Sequence, residues 1–261
     1  MIRTNRIRAF AHRLHRIEIL RRCAKQICRH WILTQNFHGG LIALNAVSHS
    51  WAWTGQRTYE TFDRELQDRL LALSLGRPHF LDIGANIGAM TLSILLRNRS
   101  AKVIAVEPGV EAYRLLTRSL RINHLEARAE LLNVAASAGD SHLNFDPDGS
   151  VSGHVVSNGI AVPAIDIREL IQRASGANLL IKIDVEGYEV PLIQTIANWS
   201  LPAGSCAVVE LHPLGFNSIG NPIACVDQIR ALEKVSMSVL GGGQIGEIDP
   251  NEFTQIELHW K

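Results

Sequence analysis

Three short stretches hold the residues most able to do chemistry. The first, Asp82-Ile83-Gly84-Ala85-Asn86-Ile87-Gly88, joins an apolar run to an amphipathic one. Its glycines let a backbone bend sharply and approach a ligand with no Cβ in the way. The spacing disfavours phosphates. A dinucleotide fingerprint needs G-x-G-x-x-G over a helix start, whereas here Gly84 and Gly88 stand four apart with Asp82 ahead, and no G-x-x-x-x-G-K-[ST] occurs. A carboxylate so close to the turn suits a ligand that carries an ammonium. The second stretch is Glu107-Pro108, 25 residues after Asp82, near the separation at which dinucleotide-type folds hold a ribose diol. In the third, Lys182, Asp184 and Glu186 alternate, so an extended strand would point all three one way. Ionisable groups on a central strand are costly unless paired or functional. Lys182 can neutralise Asp184 or Asp166. Beyond it Gly187 turns the chain and Glu189 opens a helix, where negative charge has a capping role. Glu210 and His212 share one side of a further strand end.

Taken together, the DIGANIG turn, the EP pair and IKIDVEGYE at Ile181 to Glu189 resemble the FkbM family of methyltransferases, S-adenosylmethionine-dependent enzymes with a Rossmann-like core. The likeness runs from about His79 to His212, and IKIDVEGYE is its most specific part. The resemblance implies that Asp82, Gly84, Asn86, Gly88 and Glu107 shape the cofactor pocket. The neighbouring Ala85, Pro108 and Asp184 are counted with them. It also implies O-methylation, since family members commonly methylate oxygen on sugars or polyketides. Ala135-Ala136-Ser137, after the third expected strand, departs from the acidic or polar residue often found there.

Methyl transfer from a sulfonium to oxygen is an in-line displacement, to which an enzyme contributes alignment and removal of the acceptor's proton. Asp184, Glu186 and His212 are the candidate catalytic residues. No residue is assigned as a metal ligand, although Asp184, Glu186, Glu210 and His212 form an alternative divalent-ion site that would acidify a sugar diol. Two other classes compete. A nicotinamide-dependent oxidoreductase would use the same sheet, but the third glycine is missing. A noncatalytic methyltransferase-fold subunit, docking a partner through its N-terminal helix, would be expected to have lost the strand acids, and all are present.

These residues must be positioned by alternating strands and helices, the pattern of an α/β, Rossmann-like class I methyltransferase fold with a mostly parallel doubly wound sheet. Strands are expected at His79 to Ile83, Lys102 to Glu107, Glu130 to Ala135, Leu179 to Val185, Cys206 to His212 and Gln255 to Trp260. Helices are expected at Ile87 to Arg97, Glu111 to Asn123, Ile167 to Arg173 and Pro191 to Trp199. Ser141 to Ile165, rich in Gly, Ser, Asp and Pro, reads as a hairpin or loop excursion. The catalytic domain is expected to be 77–261.

Residues 1–76 read as an N-terminal helical extension or cap. Ile7, Phe10, Leu14, Ile17, Leu20, Ala24, Ile27 and Trp31 recur at steps of three and four, a helical stripe that either packs on the body or lies on an anionic membrane. Residues 1–30 hold nine Lys/Arg and one acid, whereas the rest of the chain carries 17 basic and 24 acidic residues. An acidic body is a poor partner for nucleic acid, whose binding depends on phosphate neutralisation. No Asn/Asp-Pro-Pro-aromatic motif occurs either. The expected partner is a small-molecule or glycan acceptor, with peripheral membrane contact confined to residues 1–33. Cys23, Cys28, Cys206 and Cys225 form no spaced pair, and no run reaches the ~18 apolar residues of a membrane span, so a cytoplasmic protein is expected.

Overall fold

The computed structural model describes residues 23, 25–55, 57–146, 154–155, 159–174, 178–199, 201–213, 221–231, 235–240, 249 and 252–260. Most of the basic amphipathic stripe lies outside these residues. The described chain opens with β1 (Ile32–Phe37) and β2 (Gly40–Asn45), followed by α1 (Ser50–Thr54) and α2 (Arg64–Ser74). Strands and helices then alternate through β3 (His79–Ile83), α3 (Ala89–Arg97), β4 (Lys102–Val106), α4 (Val110–Ile122) and β5 (Ala129–Leu132). Four strands make the excursion, β6 (Ala135–Ser137), β7 (His142–Asp146), β8 (His154–Val155) and β9 (Ile160–Asp166). The chain returns with α5 (Ile167–Arg173), β10 (Leu179–Ile183), α6 (Glu189–Asn198), β11 (Cys206–Leu211), α7 (Pro222–Arg230), β12 (Val235–Val239) and β13 (Thr254–Trp260).

Seven strands form the central sheet in the order β12-β13-β11-β10-β3-β4-β5. The five from β11 to β5 pair in parallel, and β13 pairs antiparallel with both β11 and β12. The chain leaves β3 toward β4 and β5, then crosses back to β10 on β3's other side. Strand order therefore reverses between β3 and β10, which opens a crevice at their carboxyl ends. Apolar residues cover both faces. Leu81, Ile83, Ile181 and Ile183 pack with α5, α6 and α7, whereas Phe80, Leu180 and Val208 pack with α2, α3 and α4. Ile167–Arg173 coincides with its expected helix, and Asp166 accepts the Arg168 N–H as its cap.

The description of residues 1–76 as helical is corrected at 32–45, which form an antiparallel hairpin. His38 and Gly39 take φ of 47° and 81° at the two-residue turn. Positive φ at both central positions matches the twist of paired strands, so the histidine–glycine pair closes a hairpin within the stretch expected to be helical. Phe37, Ile42 and Leu44 are fully buried with Leu66, Leu70 and Leu92, so the hairpin shares the core of the β3–α3 face. The expected strand Glu130 to Ala135 is also corrected. It divides into β5 of the central sheet and β6, which belongs to a second sheet ordered β6-β9-β7-β8.

Candidate functional site

Gly84 follows the last residue of β3 with φ +75°, and a Cβ built there would lie 1.6 Å from the Asp184 carbonyl oxygen. Only glycine fits, because the turn after β3 lies directly against the segment after β10. The Gly84 and Ala85 N–H groups both donate to the Val106 carbonyl at 3.0 Å, tying the turn to the end of β4. Asn86 takes φ +52°, which asparagine tolerates better than most residues, and its N–H donates to Glu107 Oε2 at 2.8 Å. Gly88, at φ +91°, starts α3 and packs on Leu116.

Glu107 stands at the end of β4 with 7% exposure. Its Oε1 accepts the Gly109 N–H at 2.6 Å. Burial pushes this carboxyl up to about 7, against the pull of the Gly109 and Asn86 N–H donors. An open cleft of about 590 Å³ including its mouth lies over the carboxyl ends of β3, β4 and β10. Gly84, Asn86, Glu107, Pro108, Asp184 and Glu186 line it. The excursion sheet closes its far wall with Ala135, Ala136, Phe145 and Val155, where Ala135 and Ala136 leave room for a flat apolar group.

Four of the residues expected here stand outside the cleft wall: Asp82, Ala85, Gly88 and His212. Asp82 lies beneath the turn, fully buried, where its Oδ2 accepts from Thr91 Oγ1 at 2.6 Å and its Oδ1 has no hydrogen-bond partner. Burial raises its pKa, with Lys182 and Thr91 opposing. It shapes the turn from behind.

Beyond β10 the acids do not stay extended. Asp184 N–H donates to Ile83 O at 3.0 Å, and Glu186 turns left-handed at φ +51°, ahead of Gly187 at +108°. A glutamate rarely adopts that region, and such outliers concentrate at functional sites. The turn brings Asp184, Glu186 and His212 together, with one ligand atom from each within 4.8 Å of the others. His212 Nε2 lies 3.8 Å from Asp184 Oδ1 and 3.7 Å from Glu186 Oε2. Its Nδ1 is 2.9 Å from Glu189 Oε1, which also accepts the Gly187 N–H. Glu189, read from sequence as a capping acid, is thus a fully buried anchor for the imidazole. Burial opposes charge on His212, but the hydrogen bond to Glu189 and the charges of Glu189, Asp184 and Glu186 raise its pKa to about 9. Burial also raises the Glu186 pKa, with His212 opposing.

Lys182 pairs with Asp184 at 2.8 Å and faces Glu210 at 3.4 Å. Its other expected partner, Asp166, is held by Arg168 instead. Glu210 does not join Asp184, Glu186 and His212 in their cluster, and it accepts from Gln255 Nε2 at 3.2 Å. Phe145, Val155 and Tyr188 were not singled out in the sequence. Tyr188 lay in view within IKIDVEGYE, but nothing in the excursion's composition marks Phe145 or Val155.

The Methyltransferase FkbM domain model matches residues 82–238, more than half of the chain. Methyltransferase sdnD of Sordaria araneosa is 33% identical over 73 residues, which span 27% of this chain and 28% of that protein's length. Among solved structures, the SAH-bound methyltransferase PaMTH1 of Podospora anserina aligns with a TM-score of 0.48 at 13% identity, covering 94% of this chain and 96% of that one. The O-methyltransferase from Bacillus cereus in complex with SAH aligns at 0.47 and 12%, covering 75% and 80%.

Proposed function

From the premise that this chain belongs to the FkbM methyltransferase family, we propose that it transfers the methyl group of S-adenosylmethionine to a hydroxyl of a sugar, glycan or other small-molecule acceptor. One observation supports the reading most. The glycine turn, Glu107 and Asp184 converge on one cleft at the point where strand order reverses, and that cleft combines acidic side chains with an apolar wall of Ala135, Ala136, Phe145 and Val155.

Bound there, the cofactor would supply an electrophilic methyl on a positively charged sulfur. Glu107, held by two backbone donors, keeps lone pairs free to accept from a ribose diol. Ala135, Ala136, Phe145 and Val155 suit an adenine face, so adenine recognition falls to shape and apolar contact. Asp184 and Glu186 favour a cationic donor and are the groups able to accept the acceptor's proton. His212 holds a proton of its own at neutral pH and serves to orient both carboxylates.

A second reading rests on the three-residue cluster. His212 presents Nε2 to two carboxylates while Nδ1 is anchored on Glu189, the arrangement in which an outer carboxylate fixes a metal-binding imidazole. A divalent ion held there by Asp184, Glu186 and His212 would lower the pKa of an acceptor diol. Manganese titration followed by paramagnetic resonance tests it: binding lost in Asp184→Asn supports the ion, and silence in the wild type removes it.

Calorimetric titration with S-adenosylmethionine, S-adenosylhomocysteine and a nicotinamide dinucleotide tests the primary reading. Binding of the first two alone is expected. Incubation with labelled cofactor and fractionated extracts of the source cells, followed by mass analysis, then identifies the acceptor. A methyl group found on nitrogen or carbon overturns the O-methylation assignment.

A further inference from the structure

Behind the cleft wall, 3% exposed, lies Lys182, a cation that takes no part in the transfer as described above. On β10 it faces opposite to Ile181 and Ile183, beside its register partner Asp82 on β3. Its Nζ lies 2.8 Å from Asp184 Oδ2, 3.4 Å from Glu210 Oε1 and 3.5 Å from the Gly84 carbonyl oxygen. An ammonium offers three protons and accepts none. The three oxygens in reach belong to three separate segments: the glycine turn, the acidic stretch after β10, and β11. Two of those segments line the cleft, and they already meet where Gly84 lies against the Asp184 carbonyl.

A buried ammonium persists only when its partners replace its lost hydration. Here burial opposes the charge, and Asp184, Glu210 and Asp82 more than offset it, so the Lys182 pKa is raised. A merely stabilising pair could sit anywhere in the sheet. This one joins two pieces of backbone that line one cleft.

We propose that Lys182 is a positioning residue whose ammonium clamps the Gly84 turn to Asp184, fixing the relative placement of the two segments that would enclose the cofactor's methionine end. The inference rests on the methyltransferase reading of this cleft, and the test separates the two. Wild type, Lys182→Met, Lys182→Arg, Asp184→Asn and the Lys182→Met/Asp184→Asn double variant are each titrated with S-adenosylhomocysteine and S-adenosylmethionine, with folding checked by circular dichroism.

If the wild type binds neither ligand, the cofactor reading itself fails. Given wild-type binding, Lys182→Met is expected to weaken both ligands together by about tenfold or more, as expected when one partner of a buried pair is removed. Asp184→Asn is expected to do likewise, the double variant to lose no more than either single one, and Lys182→Arg to recover part of the loss. Unchanged affinity in a folded Lys182→Met overturns the inference. So does a selective gain for the sulfonium ligand, which would mark Lys182 as a charge acting at a distance. Should Lys182→Met not fold, Asp184→Asn decides: wild-type affinity there overturns the clamp.

Discussion

At Glu186 a charged side chain occupies backbone conformation that favours glycine, and the cost of that placement is the best guide to its use. Left-handed geometry costs a non-glycine residue on the order of 1–2 kcal/mol. Glu186→Gly should therefore leave thermal stability equal to or above wild type while abolishing methyl transfer, whereas a purely structural glutamate would lose stability and keep turnover. Thermal melts beside a labelled-methyl assay on the identified acceptor distinguish them. Glu107 makes a different prediction, through pH. Its folded pKa of about 7 lies above its ordinary 4.5, so the fold favours the protonated form. The stability it contributes is full below about pH 4.5 and is lost as the pH rises through about 7, on the order of 3 kcal/mol in all. Glu107→Gln has no such titration. Urea denaturation of the ligand-free proteins at pH 5 and pH 8 should show the difference shifting toward the variant as pH rises; a flat difference refutes the assignment. Both positions were legible as chemistry-bearing residues, since a carboxylate after a strand announces itself. That Asp82 supports the turn from beneath, and that Glu189 anchors His212, was not legible, because both depend on which atoms a neighbouring strand delivers.

Among the elements, the hairpin is the one that composition concealed. Its β2 backbone is satisfied by side chains of α4 and of the residue that caps its C-terminus: Asn123 Oδ1 accepts the Leu41 N–H at 2.9 Å, Asn123 Nδ2 donates to Leu41 O at 2.6 Å, and Ser119 Oγ accepts the Ala43 N–H at 2.9 Å. An edge strand sealed this way depends on those side chains. Asn123→Ala strips two partners from Leu41 and should cost about 2 kcal/mol in urea denaturation, with cofactor affinity unchanged because the hairpin lies away from the cleft. A cost near zero would show that water replaces the amide. Neither hairpin strand alternates: β1 is interrupted by Thr34, Gln35 and Asn36, and the four apolar residues Leu41 to Leu44 of β2 are too few to tell a strand from a buried helix segment, whereas the β3 and β10 runs sit in a clear strand–helix alternation.

On the scale of the whole molecule, charge is divided between a basic start and an acidic body. Ile27 and Trp31 are 68% and 43% exposed, and Trp51 and Phe62, each stacked near Tyr59, are exposed as well. No helix among the described residues is long and apolar enough to cross a membrane. We propose that residues 1–33 bring the protein to anionic surfaces, with the charge supplied chiefly by residues 1–28. Deletion of residues 1–28, which stops short of the Arg29 carbonyl that accepts from Asn45, should leave the fold intact and reduce sedimentation with phosphatidylserine vesicles at low salt. Equal sedimentation of the truncated protein would assign the stripe to packing.

The sequence by itself determined the doubly wound sheet, the glycine turn and the identity of the acids, because each is a local consequence of apolar periodicity or of backbone freedom. Tertiary structure alone decided which residues face the cleft. The crossing from β5 back to β10 sets Gly84 against Asp184, the left-handed turn at Glu186 delivers a carboxylate to His212, and the excursion sheet supplies the apolar wall. Each of these depends on contacts between residues far apart in the chain, and spacing along a sequence holds no record of where a strand comes to rest beside another.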